Sequence, residues 1–297
     1  MPPVPRLQVL LAAILFGTTG TAQALGPDGA SPLTVGAVRV AIGAALLLLV
    51  VRAGSHDGVR LARGPLAVGG LGVAGYQLCF FAAVSDTGVA VGTVVALGSA
   101  PAFAGLGGWV IDRARPSRAW ALATALAAAG VALMALSGSA GEVSAAGVLL
   151  ALGAGASYAV FTLASKRLLD AGARAERVMA GVFTLGAVLL VPVLLIGDLD
   201  WLASADGIAM ALWLGAIPTT LAYILFAHGL RILPANEVAT LTLAEPVTAA
   251  TLGAVVLGER PGAQAVLGMV LVIAGLAVLA TRGRPADAVP GGEGALP

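Results

Sequence analysis

The sequence predicts an all-α polytopic membrane protein, with ten transmembrane helices arranged as two inverted five-helix repeats. Three observations predict it. Of 297 residues, 59% are hydrophobic and only 10% are charged, with a mean hydropathy of +0.99; a soluble domain carries about 25% charged residues. Tyr76–Leu136 and Leu221–Thr281 align without a gap at one constant offset, the distance from Pro101 to Pro246. That offset also brings Phe81 onto Phe226, Gly108 onto Gly253, Arg115-Pro116 onto Arg260-Pro261 and Gly130 onto Gly275. Finally, the basic residues fall on alternate connections between apolar runs.

A spanning helix needs about 20 predominantly apolar residues. The first such run, Leu7–Leu25, follows Arg6 and ends in Ala22-Gln23-Ala24, which imitates a cleaved signal peptide. It is read instead as the first membrane helix, because it completes the repeat count. Leu33–Val51 and Pro65–Val84 come next, the latter with the run Gly69-Gly70-Leu71-Gly72-Val73-Ala74-Gly75. Val89–Ile111 carries Pro101, and the spacing Gly88-x-x-x-Gly92 at its start favours close helix approach. Ala119–Leu136 closes the first repeat. The second consists of Ala145–Ser165, Val178–Ile196, Gly207–Leu230, Ala235–Leu257 and Ala263–Thr281. The division is a tail over 1–6, a first repeat over 7–138, a linker over 139–144, a second repeat over 145–281 and a tail over 282–297. The last is rich in Gly, Pro and Ala and is expected to be disordered.

Charge sets the direction. With the N-terminus inside, the inner connections hold Arg6; Arg52, Arg60 and Arg63; Arg113, Arg115 and Arg118; Lys166, Arg167, Arg174 and Arg177; Arg231; and Arg282 and Arg284, which is 14 of the 16 basic residues. Outer connections carry Asp28, Asp86, Glu142, Asp198, Asp200 and Asp206, with Arg260 as the one basic exception. This is the positive-inside pattern. Five helices per repeat then force the second copy to enter the membrane from the opposite side. Inverted repeats about a central site are a common plan for secondary transporters.

Ionisable groups at membrane depth mark functional sites by default. Arg39 and Glu245 are the clear cases; Glu237 and His228 lie nearer helix ends. Glu245 precedes Pro246, with Thr242 and Thr248 three residues to either side on the same face. The equivalent stripe in the first repeat, Leu97, Ala100 and Phe103, is apolar. Two roles are open to Glu245: facing a central cavity, where it binds an amine or takes up a proton, or bracing helices around the proline. Arg39 is open to snorkelling, to tethering its helix, to binding a substrate carboxylate, or to pairing with Glu245. Trp213, Thr220 and Tyr223 share one stripe, interrupted by Pro218, whose freed carbonyl needs a partner. Tyr76 and Gln77, Ser157, Tyr158 and Thr162, and Thr19 and Gln23 complete the polar set, each also able to bond between helices. The lining expected from these residues is polar, partly aromatic and nearly uncharged, which suits a small zwitterionic or neutral solute better than a polyanion.

The sequence also excludes function classes. A net charge of +1 gives no field for nucleic acid. Cys79 is the single cysteine. No His-Glu-x-x-His and no Gly-x-x-x-x-Gly-Lys-[Ser/Thr] occurs, so no cofactor, metal or ATP site is expected. A Ser157/His228 dyad is the one drawing of an enzyme. The expected partners are a small-molecule substrate and the lipid bilayer, with energy from a gradient such as protons; oligomeric state is left open. The expected cycle rocks the first five helices against the last five, with Pro101, Pro246 and Pro218 as hinges.

Glu245-Pro246-Val247, Gly253, Leu257-Gly258-Glu259-Arg260-Pro261, Gly268 and Gly275 closely resemble the end of the second EamA repeat of the drug/metabolite transporter superfamily. Ser99-Ala100-Pro101, Gly108, Arg115-Pro116 and Gly130 form its weaker partner in the first repeat, and Arg39 fits the same pattern. The resemblance covers Leu7 to Thr281 and implies a bacterial inner-membrane exporter of amino acids or related small metabolites, with both termini cytoplasmic. The stretch Ala151-Leu152-Gly153-Ala154-Gly155-Ala156-Ser157-Tyr158 resembles the branch that exports threonine and homoserine. Other relatives move sugars, nucleotide sugars or other solutes, and the alternative reading is an importer or exporter of another solute class such as a sugar, nucleoside or drug-like compound. Small multidrug exporters of the superfamily use a carboxylate in their first helix; here that helix has no acid.

Overall fold

The computed structural model describes residues 4–54, 59–113, 115–136 and 144–282. Glu142, His56, Arg284, most of the 139–144 linker and nearly all of the 282–297 tail lie outside these. Among the described residues the regular elements are helices: α1 Val4–Ala24, α2 Pro32–Ala53, α3 Arg63–Gly88, α4 Val91–Ile111, α5 Arg118–Leu136, α6 Ala145–Asp170, α7 Ala175–Leu189 continued by Val191–Ile196, α8 Ala205–Ile232, α9 Ala235–Val256 and α10 Ala263–Arg282, besides a 3₁₀ turn at Asp200–Ala203. Nine of the ten are long and apolar enough to cross a bilayer unbroken. The exception is α7, divided at Leu190 (φ −90°, ψ −1°). Pro192 lacks an N–H and its ring crowds the carbonyl four residues back, which ends the first piece there. The two pieces together still reach about 33 Å at 1.5 Å per residue.

Proline marks two further irregularities, and each freed carbonyl finds a partner. Around Pro218, Ala216–Leu221 of α8 widens to a π-turn, and the Leu214 carbonyl accepts from the Thr219 hydroxyl at 2.7 Å. Before Pro246, Thr242–Ala244 of α9 tightens to a 3₁₀ turn, and the Glu245 N–H donates to the Thr242 carbonyl. Gly88 (φ +80°, ψ 159°) separates α3 from α4. It serves as a turn and not as half of a Gly-x-x-x-Gly contact, because a side chain at that position would meet open space. Gly258 (φ +72°) caps α9, with the Leu257 and Glu259 N–H groups both donating to the Gly253 carbonyl at 3.1 Å. The left-handed backbone there suits glycine.

The repeats interlock instead of forming separate bodies. α6 packs on α3 and α4, and α1 packs on α8 and α9. α7 lies on α3, α2 lies on α8, α2 faces α7, and α5 faces α10. Exchanging the repeats maps this whole set onto itself, as an inverted repeat requires. The strongest interfaces therefore join one repeat to the other. These contacts group the helices into two crossed bundles, α3, α4, α6 and α7 and α1, α2, α8 and α9, each drawing on both repeats, with α2 and α7 meeting between them.

The symmetry extends to single glycines. A β-carbon at Gly130 would lie 2.5 Å from the Gly268 carbonyl oxygen, and one at Gly275 would lie 2.6 Å from the Ala123 carbonyl oxygen. Gly130 and Gly275 are repeat partners, and so are Ala123 and Gly268. Likewise Gly43 approaches the Gly215 carbonyl where α2 crosses α8, as Gly186 approaches the Gly70 carbonyl where α7 crosses α3, at 3.5 and 3.6 Å from the added β-carbon. Gly130→Ala is expected to lower the melting temperature of detergent-purified protein by an amount equivalent to about 1–3 kcal/mol, the usual cost of overpacking. Gly64→Ala, which meets nothing within 4 Å, should leave it unchanged.

Candidate functional site

The basic residues Arg6, Arg52, Arg63, Arg118, Arg174 and Arg231 all sit at or next to the helix termini that meet one end of the bundle. The loop after Gln23 marks the other end. A cavity of about 440 Å³ runs from the middle of the bundle towards the Gln23 end, within the roughly 300–1,000 Å³ usual for small-molecule sites. Its walls come from α1 (Phe16, Thr19, Gln23), α2 (Val35, Gly36, Arg39), α3 (Tyr76, Phe80, Phe81) and α4 (Thr93, Leu97, Ala100), with Tyr158 of α6, Tyr223 of α8, and Thr242 and Glu245 of α9. Among the described residues of this lining, Arg39 and Glu245 are the only formal charges.

The tyrosines form the floor. Tyr76, Tyr158, Tyr223 and Arg39 border both the cavity and a second hollow of about 20 Å³ beneath it, which adds Gln77, Phe161, Phe183 and Thr219. Below that, aromatic rings of α6, α7 and α8 pack together. Phe183 and Tyr223 ring centroids are 4.4 Å apart, Phe161 meets Tyr223 edge-on at 5.7 Å, and Phe161 stacks on Phe226 at 5.9 Å. Nearer the Arg6 end, His228 Nε2 lies 3.5 Å from Glu176 Oε1, and Lys166 Nζ donates to the Arg231 carbonyl at 3.2 Å. Every one of these contacts joins α6 or α7 to α8, across the two crossed bundles. Within one bundle, Arg6 pairs with Glu237 at 2.6 Å and ties α1 to α9.

Among the described residues, no side chain hydrogen-bonds or pairs with the Glu245 carboxylate, which faces the cavity. Arg39 is held separately: its guanidinium donates to Gln77 Oε1 at 3.0 Å. The Tyr158 hydroxyl lies 3.3 Å from Thr242 Oγ1. The cavity therefore presents one acid, one base and a row of hydroxyls on an aromatic and aliphatic wall.

Several residues singled out in the sequence lie elsewhere. Thr248 abuts Gly17 of α1 and bonds the Ala244 carbonyl. Thr220 bonds the Gly215 carbonyl at 2.8 Å and reaches Gly43 of α2 at 3.4 Å. Trp213, 47% exposed, bonds Thr18 on the outer flank of α1. Ser157 lies under Gly75 of α3. Ser157 and His228 make no contact; the His228 Nδ1 position is taken by the Ile224 carbonyl. Pro101 sits inside α4 behind the cavity-lining Ala100. Residues the sequence did not single out include Phe16, Phe80, Phe81 and Thr93. Leu97 and Ala100 had a signal: they are the repeat partners of Thr242 and Glu245, so the repeat places them on the facing wall.

The family model of the EamA-like transporter family matches twice, over residues 6–136 and 145–281. The chain belongs to the EamA-like transporter family. This EamA chain is 43% identical over 279 residues to the uncharacterized transporter YwfM of Bacillus subtilis, covering 94% of each. It is 30% identical over 278 residues to the threonine/homoserine exporter RhtA of Salmonella typhimurium, covering 92% of this chain and 89% of that one. A solved structure at 21% identity superposes with a TM-score of 0.80 over 95% of this chain and 97% of the other, which shows the shared fold. The EamA transporter described here is thus a multi-pass membrane protein with a membrane-depth cavity. In detergent, with Cys79 replaced by serine, a cysteine at Gln23 or Thr93 is expected to label fully with a hydrophilic maleimide. A cysteine at Thr248 should label at least about tenfold more slowly; equal rates would contradict the assigned lining.

Proposed function

We propose that this transporter exports amino acids or closely related small zwitterions across the bacterial inner membrane by alternating access, with both termini in the cytoplasm. The observation that carries the reading is a carboxylate and a guanidinium, Glu245 on α9 and Arg39 on α2, facing one otherwise uncharged cavity. Glu245 receives the ammonium group and Arg39 the carboxylate, in charge-assisted hydrogen bonds. The tyrosine hydroxyls and Thr242 hold the remaining polar atoms. The named activity of the Salmonella relative agrees with this assignment. So does the absence of any basic cluster in the lining, which a polyanion would need.

The Arg6 end is cytoplasmic on the positive-inside rule, so the described state is open outward and closed inward. The inward closure is the aromatic plug of Phe161, Phe183, Tyr223 and Phe226 with the Glu176–His228 contact beneath it. Because all of these contacts lie between the two crossed bundles, rocking one bundle against the other opens the plug while closing the outer mouth. The 3₁₀ turn before Pro246 and the π-turn at Pro218 let α9 and α8 bend during that motion. Energy comes from a gradient, and Glu245 is the group available to carry a proton.

Efflux of preloaded, labelled amino acids from cells tests the reading, with and without a proton gradient. Glu245→Gln is expected to lower efflux at least about tenfold at equal membrane abundance, since a hydrogen bond to a charged group contributes about 1.5–3 kcal/mol. Equal efflux by both forms would reduce Glu245 to a structural acid. No efflux of any amino acid by the wild type would sink the substrate class and turn attention to uncharged solutes, for which the apolar wall is also suited.

A further inference from the structure

Gln77 is among the most enclosed polar side chains in the protein, 2% exposed at the α2–α3 contact. It does not border the main cavity; it borders the hollow beneath the tyrosine floor. Its Oε1 accepts from the Arg39 guanidinium at 3.0 Å, while its Nε2 has no partner among the described residues. A guanidinium and an amide NH₂ are both donors only, so the amide must present its oxygen to Arg39. The buried, unpaired NH₂ is the cost of that orientation, and such groups call for an explanation.

A second observation, on α2, bears on the same atoms. A β-carbon at Gly36 would lie 2.7 Å from Gln77 Nε2 and would also strike the Phe81 ring. Only a residue without a side chain leaves the amide where it is. Gly36 itself borders the cavity, one helical turn before Arg39. We propose that Gln77 is a positioning residue: it fixes the Arg39 guanidinium at the cavity floor before substrate arrives, in space that Gly36 leaves open. A long arginine side chain has many rotamers to lose on binding. A fixed one binds a carboxylate more tightly because that loss has already occurred. This deepens the assignment of Arg39 as the carboxylate-binding group and rests on it.

The test uses purified full-length protein and binding of labelled threonine, the other amino acids, and for each the matching amine that lacks the carboxylate. Gln77→Leu keeps the bulk and removes the acceptor. It is expected to weaken amino-acid binding and raise KM about tenfold, with the maximal efflux rate unchanged and amine binding unchanged. The double variant Arg39→Leu/Gln77→Leu should be no weaker than Arg39→Leu alone. The proposal is overturned if Gln77→Leu binds amino acids normally, if it weakens the amine equally, or if its effect adds to that of Arg39→Leu. Should Gln77→Leu fail to reach the membrane, Gly36→Ala displaces the same amide and must give the same split; normal binding by that variant overturns the proposal. A different pattern marks failure of the underlying assignment: Arg39→Leu without effect, or no amino acid bound by the wild type.

Discussion

Backbone-to-backbone approach between the repeats is the constraint on which the structure depends. Inside a bilayer, helices gain nothing by hiding apolar surface from one another, because lipid tails are as apolar as leucine. Association rests on close packing, and close packing here is concentrated where glycine or alanine of one repeat meets a carbonyl of the other. The Gly130–Gly268 and Gly275–Ala123 pairs seat α5 on α10. The Gly43–Gly215 and Gly70–Gly186 crossings seat α2 on α8 and α7 on α3. Remove that approach and the walls of the cavity separate, since Arg39, Tyr76 and Tyr223 all project from helices fixed by these crossings.

The same constraint decides where the molecule can move. Interfaces built on backbone contact resist sliding, so each crossed bundle behaves as a unit. The surfaces between the bundles are different. Towards the Arg6 end α6 and α7 meet α8 through aromatic rings and a few polar side chains, and beside the cavity α2 meets α3 through Gly36, Arg39 and Gln77. Side-chain contacts of this sort can be exchanged for others without leaving backbone groups unsatisfied. The helix irregularities follow the same logic: the carbonyls freed by Pro218 and Pro246 are each taken up locally, by the Thr219 hydroxyl and the Glu245 N–H. Bending there leaves the membrane interior without an unsatisfied group.

The architecture was legible in the sequence because bilayer physics writes it in long, repetitive signals. Apolar runs gave the spans, and the gapless repeat gave the symmetry. The division of α7 at Pro192 and the extension of α3 to Gly88 were not read, because both depend on local backbone geometry. The site was legible in part. Arg39, Glu245, Tyr76, Tyr158 and Tyr223 stood out as polar groups in apolar helices, and all five border the cavity. Thr220, Thr248 and Ser157 looked the same in sequence and point into helix contacts: the two threonines bond carbonyls five and four residues back, and Ser157 packs under Gly75. Trp213 turned outward because its position on α8 faces the flank of α1. The aromatic wall of Phe16, Phe80 and Phe81 was invisible because an apolar cavity residue and an apolar lipid-facing residue read alike.

The unequal decoration of α4 and α9 has a kinetic meaning. The backbone is pseudo-symmetric about a twofold axis in the membrane plane, so in the proposed cycle the inward-open and outward-open shapes are related by that rotation. The side chains are not exchanged with them: Thr242 and Glu245 stand where the other repeat has Leu97 and Ala100. The carboxylate therefore approaches one mouth in one state and a differently lined mouth in the other. A carrier built this way presents unequal affinities to its two compartments while leaving the transport equilibrium to the driving gradient. In the proposed export cycle such inequality lets a solute leave readily at low external concentration and return slowly, through four side chains on an otherwise even-handed scaffold.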